Sequence, residues 1–470
     1  MLFSSISFIY YFLPCALLLY YIVPKKFKNT MLLLFSLIFY FIGEPKYIIL
    51  MLITIIITYF SARLIDRCKQ EKMKDKSKMV TVVTVVLLVL FLMYFKYANF
   101  IFLNIVRLFK IDSKLLEIAL PIGISFYIFQ AISYIVDVYK GKVKVQKNFI
   151  NLATYISMFP QLIAGPIVRY SDIEGQLVER KMTTQKFAEG IIRFVIGLSK
   201  KVLIANSLAS LTQVVIGSNE KTVIYYWMYA ISNMLYIYFD FSGYSDMAIG
   251  LGKMFGFEFT ENFNYPYISS SITEFWRRWH ISLGTWFRDY IYIPLGGSRV
   301  NKAKFIRNII IVWALTGLWH GAEWNFLLWG LYFAVLLLIE KEVVFKFLKN
   351  IPQVLKIIVT LFLVMLGFVI FSANSLQEGL EYIQGLFAFN NINMINTETL
   401  YYLKSYAVVI IMAIIGATPL LKVINSKMIK NEKLNNTISV LKVATICILL
   451  IVSTAYIIDG SYNPFLYFRF

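Results

Sequence analysis

The chain has 470 residues, of which 59% are hydrophobic and only 15% charged, and its mean hydropathy is +0.68. That composition excludes a soluble globular protein, which has no means of hiding so much apolar surface. A net charge of +20 raises nucleic acid as a partner, but the basic residues sit in short clusters between apolar runs, the pattern of cytoplasmic membrane loops.

Apolar stretches of about 18–22 residues match a hydrocarbon core ~30 Å thick. The predicted fold class is all-α: a polytopic integral membrane protein with about 10–12 transmembrane helices plus re-entrant and interfacial ones. The first span, 8–23, lacks a basic leader and a small-residue cleavage site, so it reads as retained. It leads to Lys25, Lys26 and Lys28. A hairpin of 29–43 and 46–66 returns to a second cluster between Arg67 and Lys78, and spans 79–97 and 117–139 return to a third between Lys140 and Lys147. Further clusters run from Arg299 to Arg307, from Lys341 to Lys349 and from Lys422 to Lys433. Segment 374–403 has no Lys or Arg but carries Glu378, Glu381 and Glu398. The positive-inside rule puts the clusters in the cytoplasm and this segment outside. With spans 353–372, 404–421 and 437–457, both termini are expected on the extracytoplasmic side. Cys15, Cys68 and Cys447 are scattered and receive no role. No internal repeat or linker appears, so one membrane domain is expected over 1–470: N-terminal spans to 147, a catalytic core over 148–330 and C-terminal spans from 331.

The core breaks the pattern of plain spans. Residues 158–167 hold Pro160, Gly165 and Pro166, and a continuous helix there loses backbone hydrogen bonds. A re-entrant or half-spanning element fits, because such breaks survive only inside protein or beside a wet cavity. An apolar helix over about 223–251 then carries Asp240, Tyr244 and Asp246. Asp240 and Tyr244 share a face at i, i+4. A carboxylate at membrane depth points to function, and pairing of both aspartates with arginines from 277–288 is the structural alternative.

Ser270 or Ser271 is placed as an N-cap, with Glu274 completing a capping box. The helix that follows carries Trp276 and His280 on one face at i, i+4. Arg277, Arg278 and Arg288 suit either phosphates or interfacial snorkelling. Residues 292–299 read as a sharp turn into a basic loop where the nucleotide end of a coenzyme can dock, without a phosphate-cradling glycine motif. The next apolar helix, 305–320, ends in His320, and another span starts near Trp324.

His280 and His320 are the only histidines, and histidine is the side chain best suited to move protons near neutral pH. Hydrogen-bonded packing residues at the bilayer interface are the alternative. Trp319, Trp324 and Trp329 keep His320 dry, which favours a neutral, base-competent ring. Asp240, Tyr244 and Asn325 are each candidates to orient it. The absence of a G-x-S-x-G elbow argues against a covalent acyl-serine on this chain, and no metal site is expected. Trp276, Arg277, Arg278 and Trp319 join Asp240, Tyr244 and Asn325 as candidates for holding substrate.

The run from Asn262 to Arg299 (with FWRRWHISLGTWFRDYIYIPLGGSR), LTGLWHGAEWNFLLWG at 315–330, YFDFSGYSDMAIGLG at 238–252 and FPQLIAGPI at 159–167 resemble the membrane-bound O-acyltransferase (MBOAT) family. Together with Leu2–Ser5, Phe12–Pro14 and the closing 463–470, they are most similar to its AlgI-like polysaccharide O-acetyltransferase branch. The resemblance implies helices around a central tunnel in a bacterial cytoplasmic membrane. It implies transfer of an acetyl group from cytoplasmic acetyl-CoA, a donor substrate and no resident cofactor, to an extracytoplasmic polysaccharide. It puts His320 at the principal catalytic position and His280 at a second one. It also implies an exported partner, an SGNH-type (AlgX-, AlgJ- or DltD-like) acetyltransferase that places the group on the glycan. Rival expectations are D-alanyl transfer to teichoic acid (DltB-like), transfer of a longer acyl chain, and a non-enzymatic flippase or transporter that uses the buried Asp and His as a proton relay.

Overall fold

Apolar chain in lipid has to satisfy its own backbone hydrogen bonds, and helices do this within one segment. The computed structural model describes residues 2–110, 118–163, 165–344, 351–429, 432–460 and 464, and among these there are helices and connections but no strand. Among the described residues, eight helices are long and apolar enough to cross a membrane: Lys25–Gly43, Ile48–Gln70, Lys74–Phe109, Thr184–Gly217, Trp324–Glu342, Gln353–Ser372, Thr397–Gly416 and Val440–Ile458. Ser7–Ile22, Ile124–Lys140, Val223–Met254 and Lys302–His320 are further long helices that are shorter or more polar. The expected spans therefore fall on two kinds of helix, only one of which has plain membrane character. Lys346, Lys349, Lys430 and the closing 463–470, apart from Pro464, lie outside the described residues.

Boundaries follow caps and proline rather than hydropathy. The span expected at 404–421 begins at Thr397, because the Asn396 side chain accepts the Thr399 N–H at 2.8 Å. Pro14 has no N–H to give, and a widened turn over Ser7–Phe12 precedes it. The span expected at 79–97 runs on through a second widened turn, Met93–Tyr97, to Phe109.

The described residues fall into two compact units, Met1–Phe194 with Met247–Thr260, and Val195–Asp246 with Glu261–Phe470. In the first, the predicted break at 158–167 is present as two short helices, Phe149–Ser157 and Phe159–Leu162, neither long enough to span. Its freed backbone groups find side chains. Ser36 Oγ accepts the Phe159 N–H at 3.1 Å, and the Gln161 amide donates to the Tyr155 carbonyl at 2.5 Å. Phe159 then fills an aromatic cluster with Phe8, Phe12 and Phe39 at ring separations of 6.1, 5.4 and 5.6 Å. The break is buried in protein, as backbone irregularity at this depth requires.

In the second unit, helices Lys302–His320 and Trp324–Ile339 form a hairpin across residues 321–323. Gly317 and Gly330 let them meet backbone to backbone: a Cβ on Gly317 would lie 2.3 Å from the Phe326 carbonyl oxygen, and one on Gly330 2.2 Å from that of Trp313. Trp276, Trp279, Trp313 and Trp329 belong to or pack against the surrounding core.

Candidate active site

His280 owes its position to a helix that stops early. Ser271 caps Ile272–Arg278, its hydroxyl accepting the Glu274 N–H at 3.0 Å, while the Glu274 carboxylate reaches back to the Ser270 N–H and hydroxyl at 2.9 and 2.8 Å. Glu340, buried, also accepts the N–H groups of Ile272 and Thr273 at 2.5 and 3.0 Å, so two carboxylates face the positive end of the helix.

The sequence-based expectation that Trp276 and His280 share one helix face fails. The helix ends at Arg278, and His280 adopts a left-handed conformation with φ 44°. Tertiary hydrogen bonds replace the next helical turn: the Asn264 N–H donates to the Arg278 carbonyl at 2.9 Å and the Ile281 N–H to the Asn262 carbonyl at 3.0 Å. The strained backbone costs about 1–2 kcal/mol, and the Asn262 side chain helps hold it. Asn262 Oδ1 accepts the Ser282 N–H at 3.2 Å and its hydroxyl at 2.9 Å, and lies 3.1 Å from His280 Nδ1. The ring stands edge-on to Phe241 at 4.6 Å and 5.9 Å from Trp319. Burial, and after it the nearby imidazole of His320, hold His280 well below the ordinary histidine range.

His320 is held differently, by a helix end and by rings. It is the last residue of Lys302–His320, whose carbonyl terminus favours a positive charge by about 0.3–1 kcal/mol. Trp319, Trp329 and Phe371 pack around it at ring separations of 5.0, 5.1 and 5.3 Å.

Both histidines line one cavity of about 790 Å³, with Trp276, Arg277, Arg288 and Lys341 also on its wall. Arg288 pairs with Asp289 at 2.7 Å, and the Lys341 ammonium lies 3.5 Å from the centre of the Phe305 ring. The arrangement unites two proton-handling rings, an apolar lining and three cationic side chains. That combination suits an anionic donor with a small reactive end.

The other candidates have separate surroundings. Arg278 pairs with Glu274 at 2.8 Å and donates to the Asn264 carbonyl at 3.1 Å. The Asn325 amide donates to the Ala373 carbonyl at 3.0 Å. Asp240 and Asp246 do not pair with arginines of 277–288, as the structural alternative had them. Asp240 meets Lys201 at 2.5 Å with both side chains fully buried, and Asp246 meets Lys200 at 2.7 Å. Tyr244 is buried one turn beyond Asp240.

Asn262, Ser282, Glu340 and Lys341 received no site role in the sequence analysis, although each touches or lines the site. Lys200 and Lys201 carried a signal that was available: two lysines inside an apolar helix are as costly as an aspartate there.

Comparison with known proteins gives this geometry a lineage. The sequence profile described as "MBOAT, membrane-bound O-acyltransferase family" matches residues 37–383. A probable alginate O-acetylase AlgI of Azotobacter vinelandii is 41% identical over 395 residues, covering 83% of this chain and 79% of that protein. A peptidoglycan O-acetyltransferase of Helicobacter pylori is 33% identical, covering 100% of this chain and 98% of its own. A teichoic acid D-alanyltransferase of Bacillus subtilis is 32% identical, over 53% of this chain and 68% of that protein. The chain belongs to the membrane-bound O-acyltransferase family and is a multi-pass membrane acyltransferase.

Proposed function

We propose that this protein takes an acetyl group from cytoplasmic acetyl-CoA and passes it through the membrane for O-acetylation of an extracytoplasmic polysaccharide, with His320 as general base. The observation that carries this reading is the shared cavity, in which His320 and His280 lie along one wall system with Arg277, Arg288 and Lys341. The similarity over the whole chain to a peptidoglycan O-acetyltransferase and to a probable alginate O-acetylase supports an acetyl group and a glycan acceptor.

A hydroxyl is too weak a nucleophile to attack a thioester unaided. In the proposed step its oxygen bonds to the acyl carbon as its proton passes to the His320 imidazole. The tetrahedral intermediate then collapses, the carbon–sulfur bond breaks, and the proton goes to the departing thiolate. Such proton transfer contributes about 10²–10⁴-fold. The three cations offer charge to the phosphates of the donor. The attacking hydroxyl belongs to the glycan or to an exported SGNH-type partner, and it enters from the far side, where the acetyl ester then leaves. D-alanyl transfer remains the rival, supported by relatives that match only 53% of this chain.

The test uses the intact chain in its own membranes. Labelled acetyl-CoA is supplied on the cytoplasmic side, and the base-labile acyl groups on cell-wall and secreted glycans are identified by mass spectrometry. His320→Ala at normal membrane abundance is expected to abolish the labelled acetyl ester. Undiminished acetylation in that variant sinks the reading, and an unlabelled alanyl ester found in place of the labelled acetyl ester supports the rival.

A further inference from the structure

The hydrogen bonds around Asn262 fix more than the position of His280. The backbone N–H of Ser282 can only donate, so the side-chain atom of Asn262 that it meets at 3.2 Å is the oxygen. An amide oxygen only accepts. The His280 Nδ1 that lies 3.1 Å from the same oxygen must therefore carry the hydrogen. A neutral ring has one N–H, so Nε2 is left bare. That atom is buried and has no hydrogen-bond partner among the described residues, and its ring lines the cavity.

We infer that Asn262 is a positioning residue that holds His280 as the Nδ1–H tautomer, so that the bare Nε2 accepts a hydrogen bond from a hydroxyl of the acyl acceptor. A bare nitrogen cannot donate to the thioester carbonyl, so His280 recognises the acceptor and does not polarise the donor. The inference rests on the acyl-transfer reading for the identity of the hydroxyl, but not for the tautomer. Ser282 completes the device: its N–H and hydroxyl occupy the remaining approaches to the Asn262 oxygen and keep that oxygen turned towards the ring. The groups around His280 are few. Phe241 and Trp319 pack on it, His320 is its titratable neighbour, and Arg277, Arg288, Tyr292 and Lys341 share the cavity.

Because the chain has only two histidines, ring-¹⁵N-histidine labelling of the full protein in lipid bilayers gives solid-state NMR signals from two rings, and His320→Gln removes one set. The expected spectrum shows a protonated Nδ1 and a bare Nε2 for His280. Asn262→Leu should mix or reverse the tautomers and lower acetyl transfer about 10–100-fold, with the KM for acetyl-CoA unchanged. Asn262→Asp keeps an oxygen acceptor and should restore the Nδ1–H form and most of the lost transfer. A protonated Nε2 in the wild type overturns the inference, and so does an unaltered tautomer or undiminished transfer in Asn262→Leu. If Asn262→Leu does not accumulate, the wild-type and Asn262→Asp spectra decide. The NMR result does not depend on turnover, so failure of the acyl-transfer reading would appear separately, as undiminished acetylation in His320→Ala.

Discussion

His280 and His320 share one cavity but are held by opposite means. His280 sits in a strained turn fixed by an amide oxygen that also serves Ser282. His320 ends a regular helix and is held by Trp319, Trp329 and Phe371. A polar clamp dictates which nitrogen of His280 carries the proton, whereas the rings of Trp319, Trp329 and Phe371 dictate where that of His320 lies. One site thus gains a fixed tautomer from hydrogen bonds and a fixed location from packing, two properties that neither kind of contact supplies alone.

Substitutions on the two sides separate these contributions. The largest effect is expected for His320→Ala, a loss of about 10²–10⁴-fold in transfer; a change in melting without loss of transfer would reassign the residue to packing. Trp329→Ala opens the apolar cage and is expected to cost about 3–5 kcal/mol, seen as a lower melting temperature in detergent together with reduced transfer. Gly330→Ala puts a methyl 2.2 Å from the Trp313 carbonyl, forcing the hairpin apart at about 1–3 kcal/mol; full activity in this variant would show that His320 tolerates movement. Ser282→Ala is expected to be mildest, at about 0.5–1.5 kcal/mol, because Asn262 Oδ1 keeps the Ser282 N–H and the His280 ring. A melting loss as large as that of Trp329→Ala would mean that the polar clamp is not the lesser stabiliser.

Much of the helical framework was legible because lipid allows few alternatives. Apolar length located Ile48–Gln70, Gln353–Ser372 and the start of a helix at Trp324, and the prolines at 160 and 166 marked the broken element. Polar helices were harder. Val223–Met254 was visible as an apolar run, but the structural alternative for its aspartates looked to arginines that lie later in the chain. Lysines on a helix earlier in sequence proved closer in space, and sequence separation carries no information about that choice.

Composition and periodicity alone settled that the chain lives in a membrane as a set of helices, because burying so much apolar surface and satisfying every backbone group leaves no other solution. They also marked the two histidines as the chemistry to examine. Only the tertiary structure ended the first helix before His280, since the hydrogen bonds that replace its next turn come from Asn262 and Asn264. Only it brought the two rings to one cavity, because glycine-to-backbone packing in the 302–339 hairpin depends on atoms that meet through the fold and not through the chain.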